Sequence, residues 1–249
     1  MSHIGLPEGS QHRAPRSAKA RWRRIRKNIF VSFFIDLLVI LGSALVLSLL
    51  IKTFLIRSFF IPSGSMLETL KIDDRIIVNE LVPNVIPIER GDVVVFKDPG
   101  GWLGPIEARQ LNPFEATAEW FLSAFGVVAP DSSQHLVKRV IGVGGDHITC
   151  CDGDGKLTIN GHALNEPYLA KDMQPSNLEF DITVPEGSIW VMGDNRSNSE
   201  DSRYHQDLPS KGFVSKEFIV GRAVIVSWPF SNWQWLDNYP NVFKDIPKP

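Results

Sequence analysis

Three segments of this sequence carry side chains that can do chemistry near neutral pH. The first is Ile61-Pro62-Ser63-Gly64-Ser65-Met66, two hydroxyls around a glycine. A small turn of this kind exposes a hydroxyl with backbone N–H groups beside it. A serine hydroxyl is a weak nucleophile until a base takes its proton. The six histidines (His3, His12, His135, His147, His162, His205) are scattered, and none sits in a context that builds a Ser/His/Asp triad. A buried lysine can replace the imidazole, because a low-dielectric site disfavours the ammonium form; buried lysines titrate as low as about pH 5–6. Lys138 is the best candidate. It lies in Leu136-Val137-Lys138-Arg139-Val140-Ile141, a β-type run with apolar neighbours, 73 residues beyond Ser65. The third segment is Gly193-Asp194-Asn195-Arg196-Ser197-Asn198-Ser199-Glu200-Asp201-Ser202-Arg203, a polar loop following the apolar Ile189–Met192. Taken singly, each has an ordinary reading: a turn, a strand lysine on a solvated face, a solvated loop. No spacing of His, Cys or acidic residues suggests a metal site, and no cofactor is expected.

These segments need a scaffold, and charge and hydropathy divide the chain before any strand is assigned. The net charge of −2 is a cancellation. Residues 1–28 hold eight basic residues and one acid, for +7, and residues 29–249 carry −9. Between them runs Ile29–Ile51, 23 apolar residues interrupted by one charge, Asp36. As a helix this run spans roughly 35 Å, enough for a bilayer core of about 30 Å. It exceeds the roughly 7–15 residues of a signal-peptide apolar region, and no small-x-small cleavage site follows. A retained single-pass anchor is therefore expected. The positive-inside rule assigns residues 1–28 to the cytoplasm and the acidic body to the far side. Whole-chain charge gives no case for nucleic acid.

The body reads as all-β and mostly antiparallel. Short β-branched runs recur at Arg75–Asn79, Asp92–Lys97, Leu136–Val140, Lys156–Asn160, Glu179–Val184, Ser188–Met192 and Ile219–Ser227, punctuated by Gly- and Asp-rich turns. Residues 100–133 read as an insertion, with Pro113–Val128 able to form an apolar helix. Residues near 147–190 read as a smaller β subregion of a domain running from 52 to 249. Trp228, Phe230, Trp233, Trp235 and Tyr239 suit either core packing or a lipid interface. The adjacent Cys150 and Cys151 are expected as two buried thiols, since neighbours about 3.8 Å apart at Cα lie below the usual range for a bridge.

As a set, these segments resemble the bacterial type I signal peptidases: Ser63-Gly64-Ser65-Met66 after a span, Arg90-Gly91-Asp92-Val93-Val94-Val95-Phe96, Lys138-Arg139 followed by Gly144-Gly145-Asp146, and Gly193 to Arg203. The resemblance implies a mainly β fold, an antiparallel catalytic core with an inserted smaller β region, tethered to the plasma membrane by one N-terminal helix. It implies a Ser/Lys dyad with Ser65 as nucleophile and Lys138 as general base, and an oxyanion hole formed by the Ser63 hydroxyl and the Ser65 N–H. Ser199 would orient the Lys138 amine, Asp201 would pair with Arg203, and Asp194 with Arg139. Phe59, Ile61, Pro62, Met66, Leu70, Leu136 and Val137 would line the substrate site, with extended peptide added along the Leu136–Val140 and Phe59–Pro62 edges. The implied substrates are exported preproteins cut after small-x-small sites, with membrane lipid and the export translocon nearby. Glu68 stands where family members often have proline, Val143-Gly144 where they often have Leu-Pro, and Ser197 where a loop acid often follows the arginine. Two other readings are weaker. Self-cleaving repressors are soluble and space their Ser and Lys more closely, and a tethered scaffold would have no use for an intact dyad.

Overall fold

The computed structural model describes residues 29–104 and 134–247. Helix α1, Ile29–Phe54, contains a stretch, Phe30–Leu49, long and apolar enough to cross a membrane. Its apolar residues surround the axis instead of forming a stripe, the pattern of a helix made for a uniformly apolar solvent. The helix runs five residues past that stretch. Residues 105–133, including the helix expected at Pro113–Val128, lie outside the described residues.

The body forms a unit of its own, built from two antiparallel sheets. The larger sheet joins β1 (Ile56–Phe60), β2 (Arg75–Asn79), β11 (Ile219–Trp228), β3 (Val93–Lys97), β4 (His135–Val143), β9 (Ser188–Met192) and β10 (Val214–Ser215) in that spatial order, with β12 (Gln234–Trp235) added to β11. The smaller sheet orders β7 (His162–Ala163), β6 (Thr158–Ile159), β5 (His147–Cys150) and β8 (Phe180–Thr183). It lies within the subregion expected near 147–190.

Strand β3, Val-Val-Val-Phe-Lys, is buried at its first four positions, as a central strand covered on both faces must be. Side chains on one side of the larger sheet, among them Phe59, Ile61, Met66, Leu70, Ile76 and Val95, form one core cluster. Val94, Phe96, Val140, Ile189 and Trp102 pack together on the other. A third cluster, from Ile141, Ile148, Trp190 and Met192, joins the two sheets.

The larger sheet curls strongly. β1 and β4 stand four places apart in strand order, yet the rings of Phe59 and His135 lie 5.1 Å apart between centroids. Register breaks in β11 between Ala223 and Ile225 and between Val226 and Trp228 fit this shape, since bulges bend a strand and raise its twist. The curl leaves two unpaired edges close together. β1 bonds only to β2, and β9 pairs with β4 only from Arg139 onward, leaving His135–Lys138 open on that side.

Some expectations require correction. Cys150 and Cys151 form a disulfide rather than two buried thiols. The peptide between them is cis, so the Cα atoms are 2.9 Å apart and the trans spacing of about 3.8 Å does not apply. Strand β5 ends at buried Cys150, and Cys151 is exposed just past it. The C-terminal aromatics divide: Trp228, Phe230, Trp233 and Trp235 are exposed rather than packed in the core, whereas Tyr239 lies against Arg139.

The polar centre of the body is a buried ion pair. Arg139 and Asp194 are wholly buried and bond through two contacts of 2.8 Å. Arg139 also donates to the Gly91 and Asp237 carbonyls, and its guanidinium lies over the rings of Tyr168 and Tyr239, which pack against each other. Removing one partner strands the other charge in a dry interior. Asp194→Ala is expected to cost about 3–5 kcal/mol of unfolding free energy. Urea titration of the detergent-solubilised full chain measures this; a loss below about 1 kcal/mol would mean that the aromatic and carbonyl contacts hold Arg139 unaided.

Candidate active site

Ser65 follows β1 in a short turn. Leu67 N–H donates to the Gly64 carbonyl, and the Thr69 and Leu70 N–H groups donate to Met66. Glu68 sits at φ 79° in this turn. A proline is locked near φ −65° and cannot adopt that geometry, so the departure at Glu68 marks a turn shaped differently from one bearing proline.

Lys138 enters from β4, paired with Val94 of β3. Its Nζ donates to Ser65 Oγ at 2.7 Å, and both side chains are buried. Burial lowers the Lys138 amine from 10.5 to about 8; Asp201 opposes this by attraction, and Arg203 assists by repulsion. An amine with that affinity is neutral in a useful fraction of molecules at mildly alkaline pH and can accept the proton of the hydroxyl it touches. Ser63 Oγ lies 3.4 Å from Ser65 Oγ. The Ser65 N–H has no acceptor among the described residues.

The loop from Gly193 to Arg203 closes over the serine turn. The anticipated ion pairs are present, Asp194 with Arg139 and Asp201 with Arg203, the latter at 2.8 Å and fully buried. Asp201 also accepts from the Gly193 N–H, and Arg203 donates to the Arg196 carbonyl. One anticipated contact is not made. Ser199 Oγ is buried without a hydrogen-bond partner among the described residues and does not bond to Lys138. It lies instead against Gly193, where a Cβ would fall 2.2 Å from Ser199 Oγ and 2.4 Å from the Ser65 carbonyl oxygen. Gly193 is therefore required for the loop to approach the serine turn, a need that its place at a strand end does not reveal.

The expected substrate-lining residues do not share one cavity wall. Met66 and Leu70 are sealed in the core with Phe59 and Ile61, and Pro62 is exposed. Val137 packs with that cluster, but Leu136, its neighbour on an alternating strand, packs with the opposite one. Sequence inspection also missed several supports. Thr69 donates a short hydrogen bond to Asp194. Glu166, from the smaller-sheet region, pairs with the buried Arg196 and bonds to Tyr168. The ion-pair and hydrogen-bond partners that tie them to the loop, Arg196 for Glu166 and Asp194 for Thr69, lie 30 and 125 residues away, so no local pattern marks them.

Among the described residues no imidazole hydrogen-bonds Ser65. His147 pairs with Asp181 on the exposed face of the smaller sheet, and His205 stacks on Trp102 with its affinity for a proton lowered by burial. No group of metal-binding side chains forms among the described residues.

A hydroxyl bonded to a buried amine of depressed basicity, on a β domain that follows a membrane-spanning helix, defines a Ser/Lys hydrolase of the membrane-anchored kind. The comparisons agree. The family model described as signal peptidase, peptidase S26, matches residues 34–228. A signal peptidase I of Mycobacterium tuberculosis (strain ATCC 25618 / H37Rv) is 38% identical over 247 residues, covering 91% of this chain and 82% of that one. A probable signal peptidase I of Mycobacterium leprae (strain TN) is 38% identical over 208 residues, 73% of this chain and 71% of its own. The signal peptidase I of Leptolyngbya laminosa is 35% identical over 191 residues, 76% and 77%. The chain belongs to the signal peptidase I family, the Ser/Lys serine endopeptidases of peptidase S26.

Proposed function

We propose that this membrane-anchored enzyme removes signal peptides from exported preproteins with Ser65 as nucleophile and Lys138 as base. The 2.7 Å contact from Lys138 Nζ to Ser65 Oγ carries the reading. Ser65 Oγ attacks the scissile carbonyl carbon while its proton passes to the neutral Lys138 amine. The negative charge moves to the carbonyl oxygen, which the Ser65 N–H and the Ser63 hydroxyl stabilise. The resulting ammonium returns the proton to the leaving nitrogen as the C–N bond breaks, releasing the mature protein's amino terminus. Lys138 then deprotonates a water that attacks the acyl-enzyme and frees the signal peptide.

The unpaired edges of β1 and of the first half of β4 suit an extended substrate, added as a strand between them so that its carbonyl reaches Ser65. Closely packed Phe59 and Ile61 leave little depth beneath it, which favours Ala and excludes bulk next to the cut and at the third residue before it. The basic tail orients the chain with residues 1–28 in the cytoplasm and the dyad outside, on the face where preproteins emerge from the export translocon.

The test is cleavage of a small-x-small precursor by the detergent-solubilised full chain, with the new amino terminus sequenced. Cleavage after bulky residues at equal rate would contradict the specificity. Ser63→Ala is expected to lower kcat by about 10²–10³ with KM little changed, the usual cost of losing one oxyanion donor. An increase confined to KM would place Ser63 in ground-state binding instead.

A further inference from the structure

The hydrogen bonds of Asn195 account for an alignment that the dyad alone leaves open. Its side-chain Nδ2 donates to the Gly64 carbonyl at 3.0 Å, and its backbone N–H donates to the Ser65 carbonyl at 3.1 Å. One residue therefore holds the two carbonyls on either side of the Ser65 Cα. The Asn195 amide is itself held, because its Oδ1 accepts from Ser197 Oγ at 3.1 Å. The loop that carries it is fixed on both sides by the buried pairs of Asp194 and Asp201.

The Gly64 carbonyl and the Ser65 N–H belong to one peptide unit. A peptide is planar, and in its trans form C=O and N–H point in opposite directions. A donor fixed on the Gly64 oxygen thus sets the plane and turns the Ser65 N–H away from Asn195. It also polarises that amide and strengthens its N–H as a donor. Within the turn the Gly64 carbonyl also accepts from the Leu67 N–H at 3.2 Å, so Asn195 supplies the shorter of the two bonds and the one that ties this oxygen to the facing loop.

We propose that Asn195 is the positioning residue of the oxyanion hole, aligning and polarising the Ser65 N–H through the Gly64 carbonyl. The proposal rests on the Ser65/Lys138 reading and adds to it a residue that touches neither substrate nor the dyad side chains. Asn195→Asp keeps the shape but replaces the donor with an oxygen facing the Gly64 oxygen, and Asn195→Ala removes the group.

Both variants, as detergent-solubilised full chain, are expected to lose about 10- to 100-fold in kcat, less than the loss of an oxyanion donor outright. KM is expected to stay within about twofold, and the pH midpoint of kcat/KM to remain at the wild-type value in Asn195→Ala, which adds no charge near Lys138. A peptide aldehyde, which adds to Ser65 as a tetrahedral adduct, should bind more weakly by the same factor, whereas an uncleavable substrate peptide should not. Unchanged kcat in Asn195→Asp, an effect on KM alone, or a shifted pH midpoint in Asn195→Ala would overturn the proposal. Ser65→Ala, assayed beside them, separates the two failures. If Ser65→Ala is active, the dyad reading falls; if it is inactive while Asn195→Asp is unimpaired, only the role of Asn195 falls.

Discussion

Ser65→Ala is expected to lower kcat for precursor cleavage by about 10⁶, and adding Lys138→Met to it should lower kcat no further. The two groups form one unit: the hydroxyl is a weak nucleophile without a base, and the base has nothing to deprotonate without the hydroxyl. Their 2.7 Å contact is the geometry such a unit requires. Lys138→Met alone should cost about 10²–10⁴, the usual worth of a positioned general base. Lys138→Arg should be no better, since a guanidinium keeps its proton at every accessible pH. Ser65 is small and nearly buried, so its truncation should leave the unfolding transition in place. Single-turnover kinetics on a signal-peptide precursor provide the measurement. Losses that multiply in the double variant would mean that the residues act independently, and the dyad would have to be abandoned.

The second large effect is on pH. The active form carries a neutral Lys138, and burial puts that amine at about 8. kcat/KM should therefore rise with unit slope below pH 8, reach half its plateau near pH 8, and hold above it until the protein itself fails. A histidine base would place the midpoint near 6.5 instead. The same displacement acts on stability. Below about pH 8 both folded and unfolded chains carry the charged amine, and the folded state bears the full cost of burying it. Between about 8 and 10.5 the unfolded chain binds a proton that the folded chain has released, so the contribution of this group makes stability rise with pH across that window. At neutral pH the displacement corresponds to about 3 kcal/mol. Lys138→Met should accordingly raise the unfolding midpoint at pH 7 even though it lowers activity by about 10²–10⁴. A destabilised Lys138→Met, together with a wild-type activity midpoint well above 8 and toward 10.5, would show that the amine is better solvated than its burial implies.

Membrane span and β class were legible because both rest on periodicity within a window. An apolar run of 23 residues with one charge exceeds a signal-peptide apolar region, and its length favours a span over a buried helix. Strands β2 and β9 begin and end where their β-branched runs do, because a turn residue bounds each. The two-residue strands β7, β10 and β12 carry no such signal; they exist because a neighbouring strand offers them bonds. The vicinal disulfide was misjudged because the trans spacing was assumed for a peptide that is cis.

The site divides in the same way. Sequence alone determined which residue types stand beside one another: a Ser-Gly-Ser turn after a span, a lysine among apolar β residues, a charged loop after a buried strand. Those are local properties, and local chemistry suffices to mark the serine turn, Lys138 and the loop, while the family resemblance singles out Ser65, Asp194 and Asp201 within them. Tertiary structure decided what they touch. The curl of the larger sheet brings β4 beside the end of β1, places the Lys138 amine on the Ser65 hydroxyl, and buries it deeply enough to weaken its hold on a proton. It also leaves Ser199 Oγ without a partner among the described residues and gives Asn195 the Gly64 carbonyl, because a hydrogen bond is settled within tenths of an ångström between segments some 130 residues apart.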